Sequence, residues 1–162
     1  MDKLIDKISS YNIFNYLFPG VVYCLFTQYF FGFGVYQENL VLGVFLYYFV
    51  GLTISRIGSI FIGPLVSKVA RVRFSAYSDF IKASQKDSKI EMLSEVNNMY
   101  RTVVSMLFCF IVTAIIVDAL EVFPALAKYG EYAAPSSLLL LFVLSYKRQT
   151  EFIRKRVSGA DR

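Results

Sequence analysis

Apolar residues gather in blocks along this chain instead of alternating with polar ones. The first block runs from Ile13 to Phe33, interrupted by Asn15 and by Pro19-Gly20. The second runs from Leu40 to Ile62 and is broken only by Arg56. The third spans Val103 to Val117 and extends towards Phe123 past Asp118 and Glu121. The fourth, Ala133 to Tyr146, is the shortest. A helix needs roughly 20 apolar residues to cross about 30 Å of hydrocarbon, so the fourth is expected to start near Ala125 or to thin the bilayer locally. The pattern predicts an all-α, polytopic membrane protein with four transmembrane helices. They form two hairpins joined by a cytoplasmic helical hairpin.

Four regions follow. Residues 1–64 carry an interfacial helix, Asp2 to Asn15, and the first transmembrane hairpin, with a kink or break expected at Pro19-Gly20. Residues 65–101 form the cytoplasmic hairpin, 102–146 the second transmembrane hairpin, and 147–162 a basic tail. In the cytoplasmic hairpin Pro64 suits a first helical turn. Leu65, Val69, Val72, Ala76 and Phe80 then recur at steps of three and four as one apolar stripe. Ser88 and Glu91 fit a capping box that opens the next helix, whose stripe is Ile90, Leu93, Val96, Tyr100 and Val103. Nothing stops this helix before the third block, so it is predicted to run unbroken from Lys89 into the bilayer.

Composition agrees with the pattern. Of 162 residues, 56% are hydrophobic and 18% charged, more apolar surface than a soluble domain of this size can hide. Charge placement sets the orientation: 16 of the 17 Lys and Arg fall on one side of the four blocks, with Lys128 alone on the other. Cationic loops stay cytoplasmic, which puts both termini there and suits contact with anionic lipid. Nucleic-acid polymer binding does not follow from the net charge of +5. The first residues, MDKLIDKISS, lack the features of a cleavable signal.

Candidate chemistry concentrates at the base of the hairpin. Lys68, Arg71 and Arg73 lie roughly opposite Asn97, Asn98, Tyr100 and Arg101, whereas Asp79, Asp87, Glu91 and Glu95 all lie in the half away from the membrane. Two readings of this cationic patch stand side by side. One is headgroup anchoring. The other is an anionic nucleotide site, with guanidinium groups on phosphate, amides on base edges, and Tyr77 or Tyr100 stacked on a base. Within the blocks, Gly43, Gly51, Ser55, Ser59 and Gly63 repeat at four-residue steps, as close helix packing requires and as a pore lining would also allow. Asn15, Pro19, Tyr23 and Thr27 form a similar stripe in the first block. Thr102, Ser105, Cys109 and Thr113 mark either a packing or a pore-lining face of the third, and Asp118, further on, marks either its outer boundary or part of a conduit. Arg56 is an intramembrane charge near the cytoplasmic end, able to snorkel to the surface.

Enzymatic chemistry is not expected. The chain has no histidine and two cysteines; Cys24 and Cys109 have no metal-ligand spacing. No Gly-rich phosphate loop or serine nucleophile elbow is present, so neither metal nor cofactor is expected. A single four-helix subunit encloses no obvious conduit, so a pore requires a symmetric homo-oligomer, most simply a tetramer.

The stretches NIFNYLFPG, SRIGSIFIGP and SDFIKASQKDSKIEMLSEVNNMYRT resemble small four-span bacterial membrane effectors of phage-defence systems, with the membrane effector of the Hailong system the nearest comparison. The resemblance implies an inner-membrane pore governed by a nucleotide second messenger, which depolarises an infected cell. The alternative from the residues is a membrane anchor that recruits a cytosolic partner through the basic hairpin. A third and weaker alternative is a proton-coupled exporter using Asp118.

Overall fold

The computed structural model describes residues 10–33 and 37–160, and among these every regular element is a helix. We number five. Helix α1 joins Ser10–Asn12, Ile13–Leu17 and Phe18–Phe31. Helix α2 joins Leu40–Ile57, Gly58–Ile62 and Gly63–Val69. Helix α3 is Tyr77–Lys86, α4 is Lys89–Val122, and α5 is Ala127–Ala160 after a 3-10 turn at Pro124–Leu126.

Two of these helices are long and apolar enough to cross a membrane: α2, 30 residues, and α4, 34 residues. A helix in a soluble core would be mostly buried, whereas their most apolar windows are only 22% and 11% buried. Their apolar surface therefore points outward, as do Leu25 and Phe30 on α1 and Leu139, Leu140 and Val143 on α5. Helix α5 also has 34 residues, about 51 Å at 1.5 Å per residue, and tolerates Pro135 in its interior. Its apolar stretch is shorter than the helix, and neither it nor α1 passes the same test of length and composition.

Helices α1, α2 and α4 pack through their small and polar stripes. Gly20 and Gly51 let two backbones touch: a Cβ on Gly20 would run into the carbonyl of Tyr47, and one on Gly51 into the carbonyl of Tyr16. Phe110 of α4 sits among Phe26, Phe30 and Phe31 of α1, with ring centroids 5.3–5.6 Å apart. The Tyr23 hydroxyl lies 2.6 Å from Thr113 Oγ1 and ties the same two helices together. Helix α5 is joined more lightly, through Phe142 stacked on Phe49 at 6.0 Å and the buried Leu141.

Several local expectations are corrected. The chain does not break at Pro19-Gly20. The turn Ile13–Leu17 just before it widens, with the Phe18 N–H bonded to the carbonyl of Ile13, five residues back, and the helix continues past the proline. The expected interfacial segment from Asp2 to Ser9 lies outside the described residues. Pro64 does not open a new helix either. A second widened turn, Gly58–Ile62, carries α2 on to Val69. The single stripe from Leu65 to Phe80 is instead interrupted at residues 70–76. Arg71 adopts φ 51°, and the Val72 N–H reaches back to the carbonyl of Ser67 at 3.0 Å, the six-to-one bond that ends a helix when its C′ residue is left-handed.

At the start of α4 the capping box does not form, because the Ser88 side chain makes no cap bond. Asp87 takes over, its Oδ1 accepting from the Lys89 N–H at 2.9 Å. The unbroken run from Lys89 into the third apolar block is present as α4. At the start of α2, Asn39 Oδ1 accepts from the N–H groups of Val41 and Leu42, at 3.0 and 3.2 Å.

Candidate functional site

Two features meet at the end of the bundle that carries α3: a buried polar knot and, beside it, an open cleft. The knot joins α1, α2 and α4. Asn15 sits in the first widened turn and is 1% exposed; Thr102 and Ser105 are fully buried and Ser55 nearly so. The Thr102 hydroxyl has one proton to give. It lies 2.8 Å from Asn15 Oδ1, 3.0 Å from the carbonyl of Asn98 and 3.2 Å from Ser55 Oγ. Asn15 Nδ2 in turn donates to Ser55 Oγ at 3.4 Å. Ser105 donates to the carbonyl of Arg101 at 2.7 Å. Gly58 faces this group; a Cβ there would collide with Ser105 Oγ.

About one turn before Ser105 on α4, Arg101 lies across Gly63, where an added Cβ would stand 3.2 Å from its Cδ. Its Nε is buried without a hydrogen-bond partner. Tyr11 and Tyr16 of α1 face it, and the positive fields of Arg148 and Arg56 act on it as well. Among the described residues, none of these arginines forms an ion pair. A partly buried guanidinium surrounded by like charge and lacking a carboxylate is short of an anion.

The cleft opens over this guanidinium, with a volume of about 960 Å³. Its floor is the end of α2, from Ser59 to Ser67. One wall is Asn97, Asn98, Tyr100 and Arg101 of α4. The other is Arg73, Phe74 and Ser75 of the 70–76 link with Tyr77 and Phe80 of α3. Arg148 and Phe152 of α5 close the end, the guanidinium 5.8 Å over the ring centroid. Three guanidinium groups from three separate segments thus share one cavity with two amides and a set of rings, and no Asp or Glu lines it. Such a surface can hold phosphate oxygens bidentately and a flat ring by stacking.

Of the residues expected from sequence to bind an anionic ligand, Arg73, Asn97, Asn98, Tyr100 and Arg101 line the cleft, while Lys68 and Arg71 are exposed outside its lining. Tyr77, proposed for stacking, is also there. Arg148 and Phe152 were missed, because only the fold brings the tail back to α2. Gly51 and Ser55 pack helices, Gly43 is buried, and Ser59 and Gly63 serve the cleft. Of the stripe expected to serve either packing or a pore, Thr102 and Ser105 are buried inside the protomer. Cys109 and Thr113 are half-buried, and Asp118 is exposed. Among the described residues no group of three His, Cys, Asp or Glu side chains converges as a metal site would require.

Compared with protein-family models, with curated proteins and with solved structures, the chain matches none.

Proposed function

We propose that the protein is a homo-oligomeric channel of the bacterial inner membrane, opened or closed by an anionic nucleotide bound in the cytoplasmic cleft. The observation that carries this reading is the convergence of Arg73, Arg101 and Arg148, without a carboxylate, on one cavity lined by amides and aromatic rings. On this reading α1, α2, α4 and α5 all cross the bilayer, with both termini cytoplasmic, and a tetramer is the simplest closed ring. The cleft holds mutually repelling cations on three segments. A polyanion that touches all three favours the arrangement in which they approach, which is the differential affinity gating requires. In a defence setting the nucleotide would be a second messenger and the outcome depolarisation.

The conduit on this reading runs between protomers, since Thr102 and Ser105 are taken up by helix packing. On this reading Asp118, exposed towards the far end of α4, faces it.

Equilibrium binding of mono-, cyclic di- and short oligonucleotides to detergent-purified protein tests the ligand site. Saturable binding lost in Arg101→Gln supports it; no binding by any member of the panel rejects it. A second reading is favoured by Val69, Val72 and Phe74, exposed by 77%, 46% and 71% around the 70–76 link. An anchor would use this apolar edge to recruit a cytosolic partner. It would show partner loss on charge reversal at Arg71 and Arg73, with no ion flux at any stage.

A further inference from the structure

A separate recess lies between α2 and α5. Arg56, Ser59 and Ile60 form one side of it, and Ser145, Arg148 and Gln149 the other, with Phe152 at its edge. It encloses about 30 Å³, room for about two water-sized groups, and no carboxylate lines it. The Ser145 proton is committed to the carbonyl of Leu141 at 2.8 Å. Donors facing the recess are therefore the two guanidinium groups, the Gln149 amide and the Ser59 hydroxyl.

Depth along α2 narrows the ligand. Arg56 stands 16 residues beyond Leu40, about 24 Å along the axis at 1.5 Å per residue. The hydrocarbon core is about 30 Å thick, so a guanidinium on its flexible stem reaches headgroup level at the inner surface. Room for about two oxygen-sized groups beside two guanidinium groups suits the two non-bridging oxygens of a phosphodiester. Helix α5 also meets α2 through Phe142 stacked on Phe49, so a bridging anion here would add a clamp at their cytoplasmic ends.

We propose that Arg56 and Arg148 hold a phosphoryl group between α2 and α5, with an anionic lipid of the inner leaflet as its source; the choice of source rests on the membrane-inserted reading above. Arg148 and Ser59 also line the large cleft, whereas Arg56 belongs to the recess alone. That separates the two sites experimentally.

Native mass spectrometry of the delipidated, detergent-solubilised protein, titrated with phosphatidylglycerol, tests the proposal. The wild type retains one phosphatidylglycerol per protomer. Arg56→Gln lowers its affinity about tenfold, the loss expected for removing a charge-assisted contact, and Arg56→Lys restores part of it. Arg56→Gln leaves every cleft-lining side chain in place and keeps saturable nucleotide binding, which Arg101→Gln abolishes, so failure here and failure of the nucleotide reading give different results. In a second arm, inorganic phosphate at millimolar concentration leaves the lipid adduct in place. Displacement of the adduct by phosphate in the wild type alone would keep the phosphoryl site and overturn the lipid as its source. Equal phosphatidylglycerol retention by the wild type and Arg56→Gln, with both eluting identically on size exclusion, would overturn the site.

Discussion

Replacing Thr102 by valine keeps the volume of the side chain and removes only its hydroxyl, which makes it the cleanest probe of the buried knot. Thr102 is fully buried, and its hydroxyl is nearest Asn15 Oδ1 at 2.8 Å, with the Asn98 carbonyl and Ser55 Oγ within 3.2 Å. Polar contacts between membrane helices average about 0.6 kcal/mol and reach about 1.7. Here the substitution also leaves Asn15 Oδ1 buried without that donor, a loss of about 1–3 kcal/mol. The expected destabilisation is therefore about 1.5 kcal/mol, near the top of the range for membrane helices. The Tyr23–Thr113 contact provides an internal comparison. It joins α1 to α4 by one hydrogen bond of 2.6 Å in a part-buried setting, so Thr113→Val should cost about 0.6 kcal/mol. Reversible unfolding in mixed micelles, read by helix content, measures both. If Thr102→Val proved no more destabilising than Thr113→Val, the knot would not be the junction that holds α1 and α2 against α4.

Further outcomes follow from single features. Gly51→Ala drives a methyl group into the carbonyl of Tyr16 and should cost about 1–3 kcal/mol as overpacking, measured in the same titration. Arg71→Gly relieves a left-handed backbone at φ 51° and should stabilise the protein by about 1 kcal/mol, seen as a raised unfolding midpoint. Asp87→Ala removes the acceptor for the Lys89 N–H and should cost about 1 kcal/mol, while Ser88→Ala, whose side chain makes no cap bond, should be close to neutral. Gly63→Ala presses on Arg101, whose Cδ lies 3.2 Å from an added Cβ, and should weaken nucleotide binding modestly while leaving helix content intact.

What the sequence made legible was whatever depends on spacing along one helix. The run from Lys89 through the third apolar block is α4 because its apolar stripe passes into continuous apolar sequence with no Gly or Pro to stop it. The small stripe of α2 and the polar stripe of α1 meet where Gly51 and Ser55 face Tyr16 and Asn15, as close packing requires. The widened turns were not legible, since IFNYL and GSIFI contain no helix-breaking signal of their own except Gly58. Their register follows from partners on other helices, Thr102 for Asn15 and Ser105 for Gly58. The choice of Asp87 over Ser88 as the first-turn acceptor was decided between adjacent residues that are both good caps. Half of the cleft could be read from the hairpin base. Arg148, 47 positions beyond Arg101 in sequence, joins it only because α5 folds back along α2.

Ion flux through proteoliposomes reconstituted with the purified protein probes the gating proposal most directly. Mono-, cyclic di- and short oligonucleotides are added to the face that exposes the hairpin, and flux is followed with a potential-sensitive dye. The convergent arginines should make the wild-type flux respond to at least one nucleotide, and Arg101→Gln or Arg148→Gln should abolish the response while the protein still reconstitutes. Absence of flux under every condition, or a flux that ignores every nucleotide and both substitutions, would contradict it.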